Sequence, residues 1–176
     1  SQKIRKVENI MSRIQRKIFI LIAILGTNIM AAEYITLDEN ETLVSPLPLP
    51  YERREIGESA VRSFINKSEK GHQSIIIFGA NWCPDCRILE ATLKLPTIER
   101  YLDKYFSVLH VDVGDYDINM ELLEVAGVKK EEGIPRIVIF GKGSEPLNIG
   151  ATDKMRTARD TKLQDIFNYF QNFRIE

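Results

Sequence analysis

The sequence predicts an α/β domain with a mixed sheet at its centre and helices on both faces. Two observations support this fold class. Short, largely apolar runs rich in β-branched residues alternate with segments whose apolar residues recur at helical spacing. From the first of these runs onward the elements follow the order β-α-β-α-β-β-α, which favours strands of both directions with helices packed against them. The composition, 44% hydrophobic and 28% charged, is that of an ordinary globular protein.

The first half of the predicted domain contains a helix, a buried strand and a helix in two pieces. Apolar residues at helical spacing over 60–65 predict the first helix. Residues 74–78 form an almost wholly apolar run, which is typical of a strand buried on both faces. A helix should follow over 84–94. Pro96 interrupts it, and a second helical piece is expected from there to about residue 105.

The second half of the domain continues the alternation. We expect a strand over 106–113, a helix over 119–126 and a strand over 136–140. After a glycine-containing turn, residues 146–150 are expected to form a short return strand. A final helix is predicted over 158–173, because its apolar side chains fall on one face.

The charge of the chain argues against a nucleic-acid partner. Lys and Arg number 24 against 25 Asp and Glu, a formal net charge of −1. Six basic groups and one acidic group lie within residues 1–32, so residues 33–176 carry a net charge of −6. An acidic body disfavours binding to phosphate-rich partners. Two cysteines are also too few for a small domain held together by disulfides.

Residues 1–32 have the three-part plan of a secretory signal peptide, which starts either at residue 1 or at Met11. Three basic residues between 13 and 17 precede an apolar run over 18–25, and small residues follow at 31–32. The apolar run is shorter than the roughly 20 residues that a membrane-spanning helix needs. An uncleaved membrane anchor and a buried core helix are the alternatives. We therefore expect a periplasmic or secreted protein.

Residues 33–55 are predicted to be an N-terminal extension that precedes a domain occupying 56–176. Prolines alternate with other residues over 45–50, which excludes a helix and favours an extended, polyproline-like segment. We expect the extension either to wrap on the domain or to tether it. A proline-rich recognition motif is the alternative for this stretch.

Both cysteines lie in the segment Trp82-Cys-Pro-Asp-Cys86, directly after a predicted buried strand and at the start of a predicted helix. The amide groups and dipole of a helix N-terminus stabilise negative charge, so the first cysteine can ionise near neutral pH. Pro84 suits the first helical turn, where its missing N–H has no helical partner to lose. Cys86 is then within reach to attack a mixed disulfide on Cys83 and release the substrate. We therefore assign Cys83 as the nucleophile and Cys86 as the resolving thiol.

Residues 78–87, Phe-Gly-Ala-Asn-Trp-Cys-Pro-Asp-Cys-Arg, followed further along the chain by Gly-Ile-Pro at 133–135, resemble the thioredoxin family. The likeness covers roughly 56–173 in the order and spacing of the elements. It implies a thioredoxin-like three-layer α/β/α sandwich with a mixed central sheet. It also implies a cis Ile134–Pro135 bond in a loop against the redox pair, with Pro135 presenting backbone to a substrate strand and Ile134 shielding the nucleophile.

Three positions depart from the family pattern. The family's usual buried Asp under the active site corresponds here to Ile77, which leaves the proton acceptor for Cys86 open. His110, near the position of a common family Lys, is one candidate acceptor because an unperturbed histidine titrates near neutral pH. A histidine satisfied by a local hydrogen bond is the alternative. Asp85 disfavours the Cys83 thiolate electrostatically, which should make the pair less oxidising.

The surface around the cysteines is expected to contact substrate. Its predicted members are Trp82, Pro84 and Asp85 from the cysteine segment and Ile134, Pro135 and Arg136 from the proline loop. Arg136 and Arg87 are expected either to steer an acidic partner or to lower a thiol pKa. Solvated surface charges are the alternative for both arginines.

These features predict a thiol–disulfide oxidoreductase that exchanges a Cys83–Cys86 dithiol with protein substrates outside the cytoplasm, acting as a reductase. We expect a monomer without a bound cofactor, supplied with electrons by a membrane partner. One alternative is a non-catalytic binding module in which a Cys83–Cys86 disulfide is structural. Another is a metal site that joins both cysteines to His72 or His110, although zinc usually takes four ligands.

Overall fold

A mixed three-stranded sheet forms the centre of the structure. The computed structural model describes residues 34–66, 71–141 and 143–175, and the strands within these ranges are β1 (Gln73–Gly79), β2 (Phe106–Asp112) and β3 (Arg136–Ile139). Their order in the sheet is β2-β1-β3. Strand β1 runs parallel to β2 and antiparallel to β3, so the predicted mixed sheet is confirmed.

Helices cover both faces of this sheet. The described helices are α1 (Glu58–Asn66), α2 (Pro84–Leu93), α3 (Pro96–Tyr105), α4 (Leu122–Val125) and α5 (Leu163–Asn172), with 3-10 turns at Ile149–Ala151 and Lys154–Asp160. Alternate residues of a strand point to opposite faces. Ile75 and Ile77 of β1 therefore pack in a cluster with α2, α3 and α5. Ile76 and Phe78 pack with α1 and α4 on the other face, which confirms the three-layer α/β/α sandwich.

Helices α2 and α3 both begin with a proline. Pro84 and Pro96 occupy the first helical turns, where a missing amide hydrogen costs no helical bond. The predicted break between the two pieces is confirmed, because α2 ends at Leu93 before α3 starts. Strand β1 leads directly toward α2, so these two elements fix the position of the cysteine segment.

The predicted helix over 119–126 is shorter in the structure, where α4 spans Leu122–Val125. Asn119 has a φ of 55°, outside the right-handed helical region, so no helix begins there. Its side chain donates to the carbonyl oxygens of Arg54 and Asp112 instead. These bonds join the loop after β2 to the chain before α1.

The predicted return strand over 146–150 is wrong. Within the described residues, a single bridge between Phe140 and Pro146 is followed by a 3-10 turn. The side chain of Asn148 accepts from the amide of Ile139 and donates to the carbonyl oxygen of Ile137, both at 2.9 Å. A single side-chain amide thus satisfies backbone groups of β3 that a further strand would otherwise pair.

The predicted final helix over 158–173 begins later than expected, since α5 starts at Leu163. Residues Lys154–Asp160 form a 3-10 turn before it. Thr161 and Lys162 are extended, with ψ values of 135° and 142°, and they separate the turn from the helix.

The N-terminal extension lies along the domain over residues 34–57, without helix or strand. The amides of Ile35 and Leu37 donate to glutamine side chains of α5. The Glu41 carboxylate accepts from the backbone at the start of α3. Residues 34–176 accordingly form one compact unit.

The predicted signal peptide, residues 1–32, lies outside the described residues, so its export role stays a prediction. In the part of the chain that the structure describes, none of the helices is long and apolar enough to cross a membrane.

Candidate active site

Cys83 and Cys86 lie together at the start of α2. Cys83 is the N-cap residue, in an extended conformation with φ −81° and ψ 116°. Its Sγ accepts a hydrogen bond from the amide of Cys86 at 3.3 Å. Both thiols are free. A helix N-terminus favours negative charge on the capping atom, so the local backbone supports ionisation of Cys83.

The two thiols differ in how readily they ionise. Hydrogen bonding from the Cys86 side chain lowers the pKa of Cys83 to about 7, although burial acts in the opposite direction. Burial raises the pKa of Cys86 far above its usual value, and that residue is 0% exposed. The thiolate is the reactive form of a cysteine. Cys83 is therefore suited to attack first, with Cys86 held behind it as a thiol.

Asp85 is buried between the cysteine segment and the 3-10 turn that precedes α5. Its carboxylate accepts from the Arg159 amide at 3.0 Å and lies 3.2 Å from the Arg159 guanidinium. The negative charge of Asp85 raises the pKa of Cys83, in the direction expected from the sequence. Asp85 is only 4% exposed, so its carboxylate is bonded within the domain and does not face solvent.

The exposed face of the site consists of Trp82 and the proline loop. Trp82 is 53% exposed, and its indole donates to the Gly114 carbonyl oxygen at 2.8 Å. The Ile134–Pro135 bond is cis, as the family resemblance implied. The Ile134 carbonyl oxygen lies 3.8 Å from Cys83 Sγ, and the Ile134 side chain packs against the cysteine pair.

Arg136 does not take the place that the sequence suggested. It is 4% exposed, and its guanidinium lies 2.8 Å from the Glu131 carboxylate. It is therefore neither a solvated charge nor a side chain that reaches a partner at the surface. Its position as the first residue of β3 directs it inward beside Glu131, a direction that the sequence pattern alone does not specify.

Arg87 also has a different role from the one expected. Its guanidinium donates to the carbonyl oxygens of Leu47 at 3.0 Å and Pro48 at 3.4 Å, both in the N-terminal extension. The arginine after the second cysteine thus binds this chain's own backbone rather than a thiol. Arg87 is half-buried in this contact.

Tyr51 is a member of the site that sequence reasoning missed. It is 5% exposed and forms a buried cluster with Cys83 and Cys86. A Cβ at position 79 would overlap the Tyr51 hydroxyl and lie 3.0 Å from Cys86 Sγ, so glycine provides the space that the tyrosine fills. The available signal was Gly79 itself, because a glycine in a buried strand often marks a close approach by another group.

His110 has a side-chain hydrogen-bond partner, as in the alternative of a histidine satisfied by a local hydrogen bond. Its Nε2 lies 2.7 Å from the Glu90 carboxylate of α2. Its ring meets the edge of the Tyr51 ring at a centroid distance of 5.6 Å. His110 pairs with Ile77 across the parallel strands, and Ile77 belongs to the apolar core. The position of the family's buried acid is thus occupied by the apolar side chain of Ile77.

The alternative of a metal site finds no support in the described ranges. Among residues 34–66, 71–141 and 143–175, no group of three or more His, Cys, Asp or Glu side chains could hold a metal ion.

Comparisons with known proteins agree with this fold. A family model described as thioredoxin-like matches residues 66–142. Thioredoxin H2-1 of Oryza sativa subsp. japonica is 31% identical over 117 residues, which are 61% of this chain and 78% of that protein. The crystal structure of a disulphide isomerase from Xylella fastidiosa Temecula1 is similar with a TM-score of 0.63 and 28% identity, covering 72% of this chain and 97% of the other. This sequence and structural similarity, with the paired thiols at the start of α2, supports thiol–disulfide oxidoreductase activity in general, and the chain belongs to the thioredoxin family.

Proposed function

We propose that the chain reduces disulfides of protein substrates outside the cytoplasm through its Cys83–Cys86 dithiol. The observation that supports this proposal best is the pairing of a Cys83 thiol whose pKa is about 7 with a buried Cys86 whose amide lies 3.3 Å from it. One thiol is ready to attack at neutral pH, and the other is held within reach for the second step.

The reaction follows from this arrangement. The Cys83 thiolate attacks one sulfur of the substrate disulfide, and the electron pair of the broken bond leaves on the other sulfur, which takes a proton from solvent. Cys86 then attacks Cys83 and releases the second substrate sulfur. Two electrons pass to the substrate, and the Cys83–Cys86 disulfide is formed.

The electrostatics of the site favour the reducing direction. The pKa of Cys83 is lowered only to about 7, and the charge of Asp85 acts against any further lowering. Strong oxidants of this chemistry have a more stabilised thiolate, because stabilising the reduced form drives oxidation of the substrate. A moderately stabilised thiolate is therefore better suited to a reductase.

The sequence supports the proposed location and electron donor. The basic residues at 13–17 and the apolar run over 18–25 support export. In an oxidising compartment, the Cys83–Cys86 disulfide of a reductase must be reduced again after each turnover. This favours a membrane protein as the electron donor. Fractionation of cells that express the full chain tests the location, and recovery in the cytoplasm alone would contradict it.

The direction of electron flow can be measured by equilibrating the purified chain in glutathione redox buffers while following Trp82, its single tryptophan. We expect a potential near the reductant end of the family range, about −270 mV, rather than near about −120 mV. Cys83→Ser is the control, since it should show no redox-dependent change. A potential at the oxidising end would contradict the reductase assignment.

Isomerisation of protein disulfides is a second candidate, favoured by the similarity to the disulphide isomerase structure. An isomerase should restore activity to a scrambled test protein without net reduction. A chain that only reduces the scrambled protein would support the first candidate instead.

A further inference from the structure

The N-terminal extension delivers a tyrosine to the buried side of the redox pair. Tyr51 is 5% exposed, and its buried neighbours are the two cysteines. Its hydroxyl and Cys86 Sγ both border the space above Gly79, where even a methyl group would not fit. This places the Tyr51 hydroxyl in the same buried cluster as the sulfur that must act second in the reaction, and beside it.

The cysteine segment itself holds this tyrosine in place. The Asn81 side chain accepts from the Tyr51 amide at 3.1 Å and donates to the Tyr51 carbonyl oxygen at 2.7 Å. Arg87 binds the backbone of the extension at Leu47 and Pro48. Asn81 before the cysteine pair and Arg87 after it therefore both bind the backbone of the extension, which positions Tyr51 beside the thiols.

Cys86 needs assistance in order to ionise. It is 0% exposed, and burial opposes the loss of its proton more strongly than a backbone hydrogen bond at Ala80 favours it. Ile77 offers no polar atom, and the carboxylate of Asp85 is bonded to Arg159. The ionisable side chains that act on Cys86 from the cysteine segment, Cys83 and Asp85, carry negative charge when ionised and therefore oppose its ionisation.

We propose that the Tyr51 hydroxyl donates a hydrogen bond to Cys86 Sγ as that thiol ionises to attack the mixed disulfide on Cys83. The inference rests on the proposed thiol–disulfide exchange. The Cys86 thiolate forms a bond to Cys83 Sγ, the bond from Cys83 to the substrate sulfur breaks, and its electron pair leaves on the substrate. The departing sulfur takes up a proton in place of the one that Cys86 released, so no further reactant is needed.

The surroundings of Tyr51 keep the hydroxyl in its donor form. Burial, followed by the negative charges of Cys86, Glu90 and Cys83, raises the pKa of Tyr51 well above its usual value. The hydroxyl therefore stays protonated throughout the working pH range and stabilises a thiolate rather than acting as a base. His110 faces the Tyr51 ring, and its Nε2 lies 2.7 Å from the Glu90 carboxylate.

Further charged groups lie near His110. Lys94, Glu99 and Asp103 line the same cavity as His110 and Glu90. They belong to α3 and the end of α2, whereas Tyr51 lies between His110 and the thiols. A pH profile must therefore be compared between variants that retain this cavity unchanged.

The test separates the two chemical steps with a chromophoric aromatic disulfide. The reduced full chain should release one coloured thiolate when Cys83 attacks and a second when Cys86 resolves the mixed disulfide. In Tyr51→Phe we expect an unchanged first phase and a second phase slower by about tenfold or more, because a hydrogen bond to a charged group is lost. The pH midpoint of the second phase should also move upward.

Tyr34→Phe is the matched control, because Tyr34 lies in the same extension but bonds to Asn172 of α5. It should behave as the parent chain in both phases. A Tyr51→Phe protein that melts cooperatively and shows the parent rate and pH midpoint in its second phase would overturn the inference. A parent chain that releases no second thiolate would overturn the proposed function, and the inference with it.

Discussion

Arg159 pairs with Asp85 across the base of the candidate site, through a backbone hydrogen bond of 3.0 Å and a guanidinium contact of 3.2 Å. The pair joins the first turn of α2 to the 3-10 turn before α5. It places a buried carboxylate within electrostatic range of the nucleophile. The electrostatic environment of Cys83 therefore depends on two parts of the chain that are distant in sequence.

Asp85→Asn should lower the pKa of Cys83, because removal of a negative charge favours the thiolate. We expect alkylation of Cys83 at pH 6 to be faster by about two- to fivefold. The measurement is the rate of reaction with iodoacetamide across a pH series. Asp160→Asn, an exposed neighbour in the 3-10 turn, is the control and should leave the profile unchanged. An unaltered profile in Asp85→Asn would remove the electrostatic account of this residue.

The side chain at position 86 should control the ionisation of Cys83. The hydrogen bond from Cys86 is the main cause of the lowered Cys83 pKa, so Cys86→Ala should move the alkylation midpoint of Cys83 above 7. Cys86→Ser keeps a hydroxyl donor and should retain a midpoint closer to the parent value. Equal midpoints in the two variants would contradict this assignment.

Both of these variants should also trap substrate. Without a resolving thiol, the mixed disulfide on Cys83 has no internal route to release. Mass spectrometry should therefore find a covalent adduct in Cys86→Ser that is missing in Cys83→Ser. Adduct formation in Cys83→Ser as well as in Cys86→Ser would show that the two thiols exchange roles.

Arg87→Met should loosen the extension, because the carbonyl oxygens of Leu47 and Pro48 lose their donor. We expect faster limited proteolysis near Leu49 and a loss of about 1 kcal/mol in the free energy of unfolding. Arg62→Met is the control, since Arg62 forms an exposed pair with Glu58 that contributes little to stability. Equal proteolysis of the two variants would contradict the role given to Arg87.

Gly79→Ala should destabilise the chain by about 1–3 kcal/mol, because the added methyl group overlaps the Tyr51 hydroxyl in a packed interior. Gly150→Ala is the matched control, because no atom lies within 4 Å of the position its Cβ would take. Chemical denaturation of both variants measures the difference. Similar midpoints would mean that Tyr51 has room to move aside.

Features that depend on neighbouring residues were predictable from the sequence. The apolar run over 74–78 predicted β1, and Pro84 and Pro96 marked the starts of two helices. The placement of Cys83 at a helix N-terminus followed from the same local pattern. These signals are encoded within a few residues, so tertiary contacts reinforce them rather than replace them.

Features that depend on distant contacts were not predictable. Tyr51 reaches Cys86 across the fold, and no local periodicity marks a residue in an irregular segment as buried. Asn148 replaced a predicted strand because one amide side chain can bond twice to β3. Arg136 followed an exposed loop in sequence but faces inward beside Glu131. In each case the partner is determined by the folded arrangement and not by a local sequence pattern.

The contacts of the extension bear on where the N-terminal boundary of the domain should be placed. The family match starts at residue 66, and the predicted domain starts at residue 56. Either boundary, used to express or excise the domain, would discard Tyr51 and leave Asn81 and Arg87 facing solvent. The shortened chain would still carry both cysteines and the strands and helices of the family fold. It would, however, have an open cavity behind Cys86, and its thiols would titrate in surroundings that differ from those in the longer chain.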